Sequence, residues 1–163
     1  MTTREDRPDA GADDIAARAN RIRQHVIRMV SPLGEGYAGQ GLGSADILAT
    51  LYFSELRGDA EHPDWPERDR FILSPAHYAV GLYAVLAERG VLPLQDLAHY
   101  GQDGDAMEII ASERLTGIEG TCGSLAQATS VGIGQCLALR RRGSEARTYV
   151  MLGDGEQQEG QTW

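Results

Sequence analysis

Apolar positions follow helical spacing in four stretches of this chain, and each stretch predicts a helix. The first helix can be capped by Asp13 or Asp14 and should end before Pro32, which cannot continue a helical ladder. Ser44 and Ser124 are candidate caps for the second and fourth helices. The predicted helices cover approximately residues 13–31, 44–52, 80–89 and 124–142.

Two short apolar runs, residues 70–74 and 149–152, predict buried strands. His77 closely follows the first run and Asp154 follows the second. Open α/β sheets bind ligands at the carboxyl ends of their parallel strands, so both side chains are candidates for a ligand site. Taken singly, His77 is as typical of a cap or core residue, and Asp154 of an acidic β-turn. The pattern predicts an α/β fold with a parallel sheet flanked by helices.

Glycines stand at two of the predicted turns. Gly153 and Gly155 flank Asp154 and would let the backbone approach a diphosphate, while the carboxylate is a hard oxygen ligand suited to Mg²⁺. Gly123 precedes the predicted helix at Ser124, where the free N–H groups of a helix N-terminus would face an anion. This second turn is equally consistent with an ordinary tight loop.

A third glycine-rich segment, residues 34–43, contains the spacing G-x-G-x-x-G at Gly34, Gly36 and Gly39. A dinucleotide-binding fingerprint requires a strand before this spacing, but the hydrophobic pattern predicts a helix there. We therefore interpret residues 34–43 as a mobile, glycine-rich loop of an active site.

The composition narrows the possible partners and surroundings of the chain. With 42% hydrophobic residues among 163, it can bury one core over residues 12–163, whereas polar residues 1–11 are expected to form a disordered tail. A net charge of −9 argues against binding to nucleic acid or an anionic membrane. No apolar stretch approaches the roughly 20 residues that span a bilayer. Two cysteines without an evident pairing, Cys122 and Cys136, favour a reducing, cytoplasmic location.

In combination, these segments resemble the thiamine-diphosphate-binding domain of transketolases. The resemblance covers residues 13–163 and is closest to the amino-terminal subunit of transketolases that are split over two polypeptides. The matching blocks are Ser-Ala-Asp-Ile-Leu (44–48), Asp-Arg-Phe-Ile-Leu-Ser (69–74), His77, Gly-Ser-Leu (123–125) and Leu-Gly-Asp-Gly-Glu-x-x-Glu-Gly (152–160). It implies a diphosphate-binding domain over residues 12–163, with thiamine diphosphate and Mg²⁺ as its cofactors.

The resemblance gives the acidic segment a role at the metal. Asp154 would ligate the Mg²⁺ that bridges the cofactor diphosphate. Gly153, Gly155 and Glu156 would form the cofactor-binding turn beside it. Each of these roles is implied by the matching motif.

Other matching residues would complete the cofactor site. Gly123, Ser124 and Leu125 match the family loop that cradles thiamine diphosphate. His77 matches a strand-end histidine that lies near the diphosphate and the substrate, and it would be catalytic as well as cofactor-binding. Glu159 matches an acidic catalytic residue that makes a proton-relay contact across the subunit interface.

The implied activity is transfer of a two-carbon ketol unit from a ketose-type donor to an aldehyde acceptor. The family's pyrimidine-binding domain is absent from this sequence, so a carboxyl-terminal transketolase subunit is the implied partner, in a dimer of heterodimers. The sheet is expected to be incomplete at its carboxyl end, by truncation after Trp163 or because another chain completes it. The alternatives are a subunit of a thiamine enzyme that decarboxylates 2-oxo acids and transfers the acyl group, and a non-catalytic assembly subunit.

Two positions depart from the transketolase pattern in ways that bear on the substrate. Tyr37, in the predicted substrate loop, and Ile109 stand where the family carries histidines that bind donor hydroxyls. Tyrosine keeps a polar tip, but isoleucine can neither donate nor accept a hydrogen bond. Each charge-assisted contact that is lost is worth about 1.5–3 kcal/mol. We therefore expect an atypical donor, such as a 2-oxo acid or a modified sugar.

Overall fold

The computed structural model describes residues 8, 10–120 and 122–163. Its helices are α1 (Ala12–Leu33), α2 (Ala38–Thr50), α3 (Ala79–Arg89) and α4 (Gln127–Arg141), and its strands are β1 (Arg70–Leu73) and β2 (Thr148–Met151). A π-helical turn, Leu51–Glu55, continues α2, and short 3₁₀ turns occupy Ala76–Tyr78, Leu94–His99, Gly155–Gln158 and Gly160–Thr162. Most of the tail predicted over residues 1–11 lies outside the described residues.

The two strands pair in parallel, with Arg70 opposite Thr148 and Leu73 opposite Met151. Successive side chains of a strand point to opposite faces. Leu73 accordingly packs in the main core with α1, α2 and α3, whereas Ile72 packs on the other face beside α4. Helices thus cover both faces of a parallel sheet, which confirms the predicted α/β fold. All four residues of β2 keep intermediate exposure, so this strand is less buried than predicted.

The main core is formed where α1, α2 and α3 cross, and it requires a glycine at position 41. A Cβ atom on Gly41 would lie 2.7 Å from Cγ1 of Val80 in α3 and 3.0 Å from Cγ1 of Val26 in α1. The segment 38–43 is therefore the closely packed first part of a helix, and the prediction of a mobile loop there is wrong. Ser44 does not cap α2 either, since it is buried inside the helix and its hydroxyl donates to the carbonyl of Gly41 at 3.2 Å.

On the other face of the sheet, α4 approaches β2 through another glycine. A Cβ atom on Gly132 would lie 2.7 Å from Cγ2 of Val150. This helix begins at Gln127, and the residue before it, Ala126, is fully buried with a positive φ of 70°. Ala126 is thus the N-cap residue, and the predicted cap at Ser124 is wrong by two residues.

The end of α1 also lies beyond its predicted position. The helix includes Pro32 and ends when Gly34 adopts a φ of 71° and its N–H donates to the carbonyl of Val30. A proline in the last turn removes a single N–H from the ladder, and the following glycine supplies the left-handed cap. Within the part of the chain that the structure describes, no helix has both the length and the apolar character needed to cross a membrane.

Candidate functional site

The parallel pairing brings the segments that follow β1 and β2 to one edge of the sheet. The N–H of Ser74 donates to the carbonyl of Met151 at 3.0 Å, which extends the ladder just beyond β1. His77 lies in the 3₁₀ turn that follows, and Asp154 lies three residues beyond β2. The structure therefore places both predicted side chains at the carboxyl ends of adjacent strands.

His77 is half-buried between two tyrosines. Its ring centroid lies 5.0 Å from that of Tyr37, in a tilted arrangement, and 4.9 Å from that of Tyr78, edge to face. Tyr37 immediately precedes α2, so the ring contact joins the amino end of α2 to the strand edge. These residues are 40 positions apart in the sequence, and the fold brings their rings into contact.

Asp154 is exposed at the tip of the second turn. It lines an open cavity of about 500 Å³ together with Gln40, Tyr78 and Met151. A Cβ atom added to Gly155 would meet no other atom within 4 Å, and neither Gly153 nor Gly155 has a positive φ. Gly155 thus leaves open space beside the carboxylate, and the backbone conformation itself does not require glycine at either position.

The third predicted segment, residues 123–125, forms an exposed loop ahead of α4. Leu125 is 40% exposed, and a Cβ atom on Gly123 would lie 3.8 Å from Cγ2 of Ile110. Ile109, by contrast, packs against the main core. The isoleucine beside this loop is therefore Ile110, and the match of Ile109 to a family histidine remains a prediction.

Glu156 links all three segments, and its position differs from the expected one. The side chain is buried, at 3% exposure, and its Oε1 accepts hydrogen bonds from the hydroxyl of Ser74 and from the N–H of Ala126 at 2.6 Å. Its Oε2 accepts from the N–H of Gly153 at 2.8 Å. Both oxygens of the carboxylate therefore accept hydrogen bonds from groups of the protein itself. Its partners lie up to 82 residues away in sequence, so no local motif identified this role.

The acidic residue that follows, Glu159, is exposed. Its backbone N–H donates to the carbonyl of Glu156 at 3.1 Å, which closes the 3₁₀ turn Gly155–Gln158. Its contact with a second polypeptide remains a prediction.

The described residues contain no cluster of three or more His, Cys, Asp or Glu side chains that could hold a metal alone. A single exposed carboxylate such as Asp154 nevertheless suits Mg²⁺, which keeps several waters and commonly binds through one or two carboxylates plus phosphate oxygens. Cys122, next to the Gly123 loop, is buried, and burial raises the pKa of its thiol. It is therefore a poor metal ligand or nucleophile at neutral pH.

Comparison with known proteins identifies relatives of the chain. Residues 15–163 match the family model described as "Transketolase, thiamine diphosphate binding domain". The chain is 43% identical over 147 residues to a transketolase family protein from Sinorhizobium fredii, covering 90% of this chain and 53% of that relative. It is 38% identical over 151 residues to the 6-deoxy-6-sulfo-D-fructose transketolase subunit SqwG from Clostridium sp., covering 92% of this chain and 55% of that subunit.

Solved structures agree with these similarities. A transketolase from Campylobacter jejuni superimposes with a TM-score of 0.87 at 28% identity, over 94% of this chain and 25% of that one. The chain spans about half the length of the curated relatives described above. Because the family model matches nearly all of the described residues, the chain belongs to the transketolase family and carries its thiamine-diphosphate-binding domain.

Proposed function

We propose that this chain is the diphosphate-binding part of a transketolase-type transferase. The reaction moves a two-carbon ketol unit from a ketose donor, which leaves as an aldehyde two carbons shorter, to an aldehyde acceptor, which becomes a ketose. The observation that carries the proposal is the convergence of His77, Asp154 and the loop 123–125 at one sheet edge, where Glu156 links them.

Asp154 is the proposed protein ligand of Mg²⁺, with the remaining ligands supplied by diphosphate oxygens and water. The open space around Gly155 would let the diphosphate approach the backbone, and Gly123, Ser124 and Leu125 would border the cofactor on the opposite side. Thiamine diphosphate, when bound, supplies the nucleophilic carbon that adds to a carbonyl and allows the adjoining carbon–carbon bond to break.

His77 and Glu159 are the proposed proton-handling residues. The imidazole of His77 would donate to or accept from the diphosphate or the substrate, and its contact with Tyr37 would hold the ring in place. Glu159 is exposed, and exposure is necessary for a side chain that contacts another polypeptide. It would hold the cofactor's aminopyrimidine side through a contact with the partner chain.

The proposed partner is a carboxyl-terminal transketolase subunit with the pyrimidine-binding domain, assembled as a dimer of heterodimers. The Clostridium relative is named as a transketolase subunit, which supports a division over two chains. The two halves of the cofactor would then be held by different polypeptides.

The proposed donor is a modified ketose. The Clostridium relative is named for 6-deoxy-6-sulfo-D-fructose, a ketose whose sixth carbon carries a sulfo group. In this chain, Tyr37 and Ile110 offer fewer hydrogen-bonding groups than two histidines would, so a polyhydroxylated sugar phosphate would gain less binding energy here. A donor that is recognised through groups other than its hydroxyls would lose less binding energy.

A donor screen tests the reaction. The complete subunit and its candidate partner are mixed with thiamine diphosphate, Mg²⁺ and an aldehyde acceptor, and each donor is assayed for the elongated ketose. We expect product from 6-deoxy-6-sulfo-D-fructose or a related ketose, and none from either chain alone. Carbon dioxide released from a 2-oxo acid, with no transfer from any ketose, would instead identify the decarboxylating alternative.

A further inference from the structure

Glu156 is the buried carboxylate at an edge where the neighbouring side chains are exposed. Only 3% of the residue is accessible, whereas Asp154 and Gly155 just before it are exposed. Among the described residues, no Lys, Arg or His forms an ion pair with it, so hydrogen bonds alone compensate for its burial. A buried charge without such bonds would be strongly unfavourable.

The hydrogen bonds of Glu156 are divided between its two oxygens in a specific way. Oε1 holds the backbone at Ala126, which directly follows the loop 123–125, and also holds the hydroxyl of Ser74. Oε2 holds the N–H of Gly153, the residue directly before Asp154. One side chain therefore fixes the separation between the predicted metal ligand and the predicted cofactor loop.

We propose that Glu156 is a positioning residue for the cofactor, acting through these two backbone links without contacting the cofactor itself. This inference rests on the proposed function. When the loop 123–125 and the Asp154 turn are held together in advance, less conformational entropy is lost as the Mg²⁺–diphosphate group binds to both of them. Without the links, each segment has to be ordered by the ligand.

Glutamine in place of Glu156 tests this arrangement with almost no change in volume. A carboxylate accepts at both oxygens, but an amide accepts only at one and presents two N–H donors at the other position. In either orientation, the Gln side chain would face one backbone N–H with another donor. The Glu156→Gln variant must therefore lose the link to Ala126 or the link to Gly153.

The chain offers a matched control at the opposite ends of the same two strands. Asp69 is also buried, and its two oxygens accept from the backbone N–H groups of Arg57 at 3.1 Å and Arg147 at 2.8 Å. The Asp69→Asn variant therefore undergoes the same chemical change as Glu156→Gln. In both variants, a carboxylate that accepts from two backbone N–H groups is replaced by an amide. In Asp69→Asn, this change lies far from the proposed cofactor site.

The experiment compares these variants in the complete subunit assembled with its partner. Thermal melting gives the stability of each complex, and calorimetric titration of thiamine diphosphate in Mg²⁺, well below every melting temperature, gives the dissociation constant. We expect both variants to melt at lower temperature, but only Glu156→Gln to bind the cofactor more weakly, by about tenfold. Ser74→Ala, which leaves both backbone links intact, should bind within about twofold of the unaltered complex.

Four outcomes would contradict this inference. Unchanged affinity in Glu156→Gln, or an equal loss of affinity in Asp69→Asn, would mean that Glu156 contributes only to general stability. If Glu156→Gln does not fold, Glu156→Asp is used instead, since its shorter carboxylate cannot reach both backbone donors, and unchanged affinity there has the same meaning. Failure of the unaltered complex to bind thiamine diphosphate would overturn the proposed function as well.

Discussion

The two ends of the parallel strand pair use their charged side chains differently. At the amino ends, the carboxylate of Asp69 is 1% exposed, accepts two backbone N–H groups and lies 3.9 Å from the guanidinium of Arg57. Glu119 pairs with Arg68 at 2.7 Å beside the start of β1. These charges satisfy one another, so this end of the sheet has little left with which to bind a ligand.

At the carboxyl ends, the chain buries one carboxylate and leaves two exposed. Glu156 holds the surrounding backbone, while Asp154 and Glu159 are exposed, with open space beside the adjoining Gly155 and Gly160. This difference supports our proposal that the amino ends of the strands contribute to stability and the carboxyl ends to binding. Exposed carboxylates that the fold does not use are available to a metal ion or a partner chain.

The largest expected effect comes from removing the proposed metal ligand. Asp154→Ala should weaken binding of thiamine diphosphate in Mg²⁺ by at least about 1,000-fold, equal to about 4 kcal/mol, because the described residues offer no metal cluster to replace it. The melting temperature of the cofactor-free chain should not change, since the side chain is exposed. Calorimetric titration and thermal melting measure the two quantities. Equal affinity in mutant and unaltered protein would remove Asp154 from the site.

At the amino ends of the strands, we expect a mutation to reduce stability and to leave cofactor affinity unchanged. Asp69→Ala should lower the free energy of unfolding by about 3 kcal/mol, because it leaves the buried guanidinium of Arg57 without its carboxylate and the backbone N–H groups of Arg57 and Arg147 without their acceptor. Chemical denaturation measures this loss, with Asp64→Ala, an exposed aspartate, as the control. A loss of cofactor affinity in the folded Asp69→Ala protein would contradict the division between the two ends.

Glu159 should affect the assembled enzyme and leave the isolated chain unchanged. Glu159→Ala is expected to slow deuterium exchange at C2 of bound thiamine diphosphate by about 100-fold, the range of a lost proton-transfer group, or to weaken association with the partner. Nuclear magnetic resonance follows the exchange, and sedimentation measures the association. If both stay at their unaltered values, Glu159 has no part in the relay.

The smallest effect should come from restoring a polar group beside the cofactor loop. Ile110→His is expected to improve use of a polyhydroxylated ketose phosphate by about tenfold relative to a modified ketose, equal to about 1.4 kcal/mol, since it adds one hydrogen-bonding group. Ile109→His is the matched comparison and should destabilise the chain instead, because Ile109 packs against the core. The ratio of kcat/KM values for the two donors is the measurement. A greater gain from Ile109→His would show that Ile109, and not Ile110, lies beside the donor.

Much of the fold could be predicted because its signals are local. The apolar runs gave both strands, and Gly90 ends α3 in the left-handed conformation that its position suggested. The start of α2 was missed because glycines are poor helix formers in isolation. Residues 38–43 are helical because Gly41 allows close contact with α1 and α3, a tertiary effect that no local pattern contains.

Part of the candidate site could also be predicted from local signals. His77 and Asp154 follow strands directly, so their placement at one edge follows from the strand pattern. The role of Glu156 depends on partners at positions 74, 126 and 153, which only the folded chain brings together. Whether Ile109 or Ile110 lies beside the loop 123–125 depends on the path of an irregular segment. No periodicity in that segment predicts which side chain faces the loop.

The most direct test of the account is a calorimetric titration of thiamine diphosphate into the complete subunit, alone and mixed with its pyrimidine-domain partner. We expect binding that requires Mg²⁺, is abolished by a chelator and by Asp154→Ala, and is observed with the partner present. Absence of binding in the mixture, or binding that persists without a divalent metal ion, would contradict it.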